Sequence, residues 1–247
     1  MSRILVLLCL SAAFASAQKG AAPKTYPVWW SPDLKLAKLE DVKARLAQPF
    51  SDDDLYELRA TAEAFGEPAQ PVVHNCNELL AVIDPNKWTF SSLDRVGGWG
   101  GIGADCAILR ELGHAAPARE SAVQELDWTA ALFSLLPASI CYADGEASHA
   151  SAVDADKRGL SLREYWKGKA GTHTVRGSGR VLLTLDDDYV RTFYDLVAKG
   201  DFDGDGWEEI VIGVRGAPPH SARMTFAVYV LSRKSAAGRF QVVKAIF

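Results

Sequence analysis

No apolar stretch in the 247 residues approaches the ~20 that a membrane-spanning helix needs, which argues against a membrane span. Excess basic charge is missing too. Twenty-seven Lys and Arg against 31 Asp and Glu leave a net charge of −4, so the electrostatic footprint of a general nucleic-acid binder is absent. The five histidines (His74, His114, His149, His173 and His220) are scattered, with no His-x-x-x-His spacing for a metal. Gly177-Ser178-Gly179 lacks the second half of a nucleophile elbow. There is no long internal repeat. Beyond Cys9 the chain has only Cys76, Cys106 and Cys141, no two within a few residues of each other, which excludes a thiolate zinc site.

What is present begins with an address. Arg3 supplies a positive start, Ile4 to Leu10 an apolar stretch, and Ala15-Ser16-Ala17 a small-residue cleavage site. Residues 1–17 therefore read as a signal peptide, with cleavage before Gln18 and a periplasmic or secreted mature chain. Bulky Leu8 before Cys9 argues against a lipoprotein. An oxidising compartment favours one disulfide and one remaining thiol. Three pairings are possible; Cys76–Cys106 is favoured because each cysteine stands near the start of an expected helix. Such a link contributes about 3.5 kcal/mol in the chain-entropy model.

The pattern predicts an α+β protein: a mainly helical region over 18–141, a linker or irregular region over 142–178, and an antiparallel β region over 179–247. In the first region Leu39, Val42 and Leu46 share a helix face closed by Pro49. Ser51 caps a second helix with the face Leu55, Leu58, Ala62 and Phe65, and Asn75 with Glu78 starts a third. Asp105 is expected to begin another, and Pro117 a long one through Val123 and Phe133 to Pro137. Strands are expected over 180–185, 190–198, 209–214, 224–231 and 240–246, where β-branched and aromatic residues run between turn residues.

The chemistry concentrates in residues 200–212, Gly-Asp-Phe-Asp-Gly-Asp-Gly-Trp-Glu-Glu-Ile-Val-Ile. Aspartates at alternate positions, Asp201, Asp203 and Asp205, converge on one point when the backbone curls. Gly206 permits the sharp turn after them. Trp207 can then offer its backbone carbonyl, and Glu209 can reach back with one or two oxygens. A set of hard oxygen ligands suits Ca²⁺, which takes about six to eight of them, better than Mg²⁺, which dehydrates reluctantly. This segment resembles the calcium loop of FG-GAP and VCBS-type repeats, Asp-x-Asp/Asn-x-Asp-Gly-x-x-Asp followed by an apolar strand, with Glu209 at the final Asp. The resemblance implies a Ca²⁺ cofactor. In that family many copies build a propeller; one clear copy here does not imply one.

Three other segments carry weaker signals. Residues 154–164 resemble a damaged EF-hand loop, with Arg158 on a ligand position and Tyr165 where the bidentate Glu belongs, so a loop leading into a short helix is expected. Gly98-Trp99-Gly100-Gly101-Ile102-Gly103 formally matches a dinucleotide-binding pattern but follows no strand, so a flexible glycine loop with Trp99 at its tip is expected. Asp186 and Asp188 form a possible carboxylate pair. The reading is of an exported, non-enzymatic binding protein with a structural Ca²⁺ site and an unidentified protein or glycan partner. The alternative is an exported hydrolase acting on glycans through a carboxylate pair in an aromatic cleft. Sequence does not give the oligomeric state.

Overall fold

The computed structural model describes residues 24–55, 72–83, 97–123, 126, 130–142, 146–167, 171–177, 180–186, 191–217 and 225–246. The signal-peptide expectation and the Leu58–Phe65 helix face lie outside them. In chain order the elements are β1 (Trp29–Trp30), α1 (Val42–Ala47), α2 (Cys76–Val82), α3 (Gly97–Leu112), α4 (Glu146–Lys157), α5 (Leu162–Tyr165), β2 (Gly171–Gly177), β3 (Arg180–Asp186), β4 (Arg191–Gly200), β5 (Glu209–Ala217), β6 (Thr225–Ser232) and β7 (Gln241–Ala245). The class is α+β: the described helices precede strands β2 to β7, which form an antiparallel sheet.

The sheet runs β2-β3-β4-β5-β6-β7, every neighbour antiparallel. Strand β4 shares one edge between two partners. β3 pairs with it from Arg191 to Asp195, and β1 then takes over opposite Ala198 and Lys199. Both faces of the sheet are covered, which is why Ile210-Val211-Ile212 reads as a continuous apolar run rather than an alternating one. On one face Val211, Val228 and Val230 pack with Val42 of α1, Leu79 of α2, and Ile108 and Leu112 of α3. On the other, Tyr194, Ile210, Ile212, Val214 and Leu231 pack with Phe133, Leu136, Ile140 and Leu162. The Phe133 and Tyr194 rings meet edge to face at 5.4 Å, a geometry that adds to simple area burial.

Local signals at helix starts operate as expected at two places. The Ser51 hydroxyl accepts from Asp54 N at 3.2 Å, and Asp54 accepts in return from Ser51 N at 3.0 Å. The Asn75 side chain caps α2 by accepting from Glu78 N at 3.0 Å. Glu78 reaches back to His74 N at 2.9 Å, one residue before the usual partner.

Four expectations need correction. First, the glycine-rich segment 98–103 is not a loop: it forms the opening turns of α3, which starts at Gly97 rather than Asp105. Glycine disfavours helix by about 1 kcal/mol relative to alanine. Here packing overrides that cost, since a Cβ on Gly101 would sit 3.4 Å from the Phe226 ring. Second, Pro117 opens no long helix. Residues 116–120 are extended, bridging Tyr26, Asp201 and Trp207, and among the described residues up to Cys141 the helical segments that follow are short 3₁₀ turns at Ala130–Ser134 and Ala138–Ile140. Third, the polar stretch 142–178 carries α4, α5 and β2. Ser161 and Glu164 make a reciprocal capping box at the start of α5. Fourth, Cys76 and Cys106 are disulfide-bonded with Cα atoms 5.2 Å apart, but Cys106 lies deep within α3 rather than near a helix start. Among the described residues, Cys141 is the cysteine outside that disulfide, and it is buried.

Candidate metal centre

Loop 201–208 connects β4 to β5, and Gly200 pairs with Glu209 across the last rung before it. Each aspartate folds the backbone onto itself. Asp201 accepts from Gly204 N at 2.7 Å through one oxygen and from Gly206 N at 2.9 Å through the other. Asp203 accepts from Asp205 N at 3.0 Å, and Asp205 from Trp207 N at 2.8 Å. Gly204 and Gly206 have φ of +81° and +91°, a conformation that side chains disfavour.

The loop is also clamped from outside. Ala116 and Asp201 exchange backbone hydrogen bonds at 2.8 and 2.9 Å. Arg119 N and Glu120 N both donate to Gly206 O, at 2.9 and 3.0 Å, and Glu208 N donates to Glu120 O at 2.8 Å. Sequence reasoning missed this clamp because it assigned the stretch from Pro117 to Pro137 to a helix. Ser121 bonds the buried carboxylate of Glu208 through its hydroxyl, so that acid faces a different partner from its neighbour Glu209.

Asp201, Asp203 and Glu209 are brought together, with one carboxylate oxygen of each lying within 4.8 Å of the others. Their surroundings differ. Glu209 is fully buried, Asp201 nearly so, and Asp203 is exposed. Glu209 accepts from Phe202 N at 2.8 Å and from the Ser232 hydroxyl at 3.2 Å. Burial pushes the Glu209 carboxyl up to about 7, and the charges of Asp203 and Asp205 push the same way, against the Phe202 N–H. Asp205 stands apart from the triad. Its second oxygen is taken by the Lys234 ammonium, a hydrogen bond that holds its carboxyl below the usual range. Trp207 is half-buried, with its N–H spent on Asp205.

The donor set fits a hard cation. It is all oxygen, and the carboxylate oxygens of Asp201, Asp203 and Glu209 that accept a hydrogen bond here retain further acceptor capacity. A buried carboxylate beside two further acids is also what a bound cation relieves.

The other candidates gather no such set. Within 154–164, Asp154 pairs with Lys157 at 3.3 Å on the surface and Asp156 accepts from the Ser139 hydroxyl at 2.6 Å, so the two aspartates point to separate partners. A short helix, α5, does follow. Trp99 has helical backbone and sits at no loop tip. Asp186 ends β3 opposite Arg191, and Asp188 lies outside the described residues, so the hydrolase alternative gains no support. Among the described residues no helix is long and apolar enough to cross a membrane.

No curated protein and no solved structure matches the chain. Residues 193–231, which run from β4 through the acidic loop and β5 to the penultimate residue of β6, match the family model of the FG-GAP repeat in a single copy.

Proposed function

We propose that loop 201–209 binds one Ca²⁺ through Asp201, Asp203, Asp205, the Trp207 carbonyl and Glu209, and that the chain is an exported, non-enzymatic binding protein. The observation that carries this reading is the convergence of Asp201, Asp203 and Glu209 on one point of a hairpin that matches the FG-GAP repeat. FG-GAP repeats suggest extracellular interaction domains, in keeping with the leader-like residues 1–17. The partner is a protein or a glycan.

The ion acts here as a clip. Glu209 begins β5 and Asp201 follows β4, so a cation shared between them ties the two strands at the mouth of their hairpin. Binding to the folded state alone adds RT ln(1 + [L]/Kd), about 1.4 kcal/mol at ten times Kd. Millimolar calcium and a Kd near 10⁻⁴ M, of the order found in extracellular modules, give that ratio. For a chain of this size such a gain raises the melting midpoint by about 3–6 °C.

Thermal melts with calcium and with chelator test the proposal. The wild-type midpoint should rise with calcium. Asp203→Ala should abolish the rise while leaving the metal-free midpoint unchanged or higher, since Asp203 is exposed and repels Glu209. A wild-type midpoint indifferent to several millimolar calcium would mean that the acidic loop is a solvated turn.

A further inference from the structure

Lys234 and its neighbours touch the acidic loop at two depths. Ser232, at the end of β6, donates its hydroxyl to buried Glu209 at 3.2 Å. Two residues on, Lys234 donates its ammonium to Asp205 at the rim. The intervening Arg233 fixes the chain between them. Its guanidinium is bonded to the carbonyls of Gly238 at 2.8 Å, Ala122 at 3.0 Å, and Ala236. The base from which Lys234 reaches is therefore rigid, while its own side chain is 60% exposed and free to swing into water.

We propose that Lys234 competes with the cation for Asp205, and so sets a ceiling on the calcium affinity of the loop. This rests on the calcium reading of loop 201–209. The gathered carboxylates are those of Asp201, Asp203 and Glu209; the remaining aspartate of the motif has one oxygen on Trp207 N and the other on Lys234. For Asp205 to serve a cation, its oxygen must exchange an ammonium for the metal. The exchange is feasible because the pair is solvent-exposed, and such pairs contribute little. Repulsion between the dication and an ammonium on the same carboxylate then drives the lysine outwards. The loop thus trades a monovalent internal counterion for a divalent external one. Its affinity is held down by the exchange.

Calorimetric titration of the intact protein with calcium chloride at low ionic strength tests this. Lys234→Gln should tighten calcium binding by about two- to fivefold, within what an exposed pair supplies. In an Asp205→Asn background the same substitution should change affinity by less than about twofold, because the contested carboxylate is gone. An unchanged or weakened affinity in Lys234→Gln, with wild type still binding, overturns the competition alone. So does a tightening that persists in full without Asp205, since that is general charge repulsion. Failure of wild type and variants alike to bind calcium overturns the metal reading beneath it.

Discussion

At the scale of single residues, Glu209 concentrates the tension of the loop. It is fully buried and its carboxyl is raised from 4.5 to about 7. The folded protein therefore holds this proton more tightly than the unfolded chain does. Without calcium, the contribution of Glu209 is most favourable below pH about 4.5 and is lost as pH rises through about 7. The loss is at most about 3 kcal/mol. Melts across pH 4 to 8 in chelator should show this decline in wild type and not in Glu209→Gln, and calcium should restore stability at the alkaline end. The glycines offer a second test. A Cβ on Gly204 meets nothing within 4 Å, whereas one on Gly206 would lie 2.5 Å from the Arg119 guanidinium; both residues have positive φ. Gly204→Ala should cost about 1 kcal/mol of backbone strain and Gly206→Ala about 2–3 kcal/mol, read from denaturant midpoints. Equal costs would mean that Arg119 yields freely. The aspartate spacing was legible in sequence because alternate residues of a curled loop converge through local geometry. Lys234 and Ser232 were not, because only the β5–β6 register, Glu209 opposite Ser232, brings them near.

At the scale of elements, the strands were readable and the helices less so. β3 to β7 coincide closely with β-branched and aromatic runs bounded by turn residues, whereas β2, Gly-Thr-His-Thr-Val-Arg-Gly, has the composition of a loop. The opening of α3 was hidden for the opposite reason. Its glycines argue locally against a helix, and the Phe226 ring that makes small residues useful there is more than a hundred positions away. The disulfide belongs to this scale, since it joins the first residue of α2 to the middle of α3. It spans a separation of 30 residues, for which chain entropy suggests about 3.5 kcal/mol. We predict that the mature chain, unfolded without reductant, titrates one thiol, and that the native chain titrates almost none because Cys141 is buried. Three thiols in the unfolded chain would contradict the Cys76–Cys106 link. Reduction should lower the denaturation midpoint without removing calcium binding, because loop 201–209 is carried by β4 and β5, which the disulfide does not join.

At the scale of the molecule, both layers beside the sheet support the loop. The face that carries α1, α2 and α3 buries Val211 and Phe202, and the opposite face buries Ile210, so the strand that follows the acidic residues is held from two sides. Segment 116–120 adds a backbone clamp from outside the sheet. Helices and connecting segments thus cover both faces of the single hairpin that matches the FG-GAP repeat. Composition and patterning gave the class. The three-layer order was not legible, because it depends on which apolar face meets which, a pairing no local window contains. The central claim is that this hairpin holds a calcium ion. The most direct measurement is a crystal structure of the protein grown in millimolar calcium, with anomalous scattering used to locate the ion. The account predicts one anomalous peak about 2.3–2.6 Å from oxygens of Asp201, Asp203 and Glu209, with Asp205 turned away from Lys234 and towards the ion. A loop with no peak and Asp205 still bonded to Lys234 would contradict it.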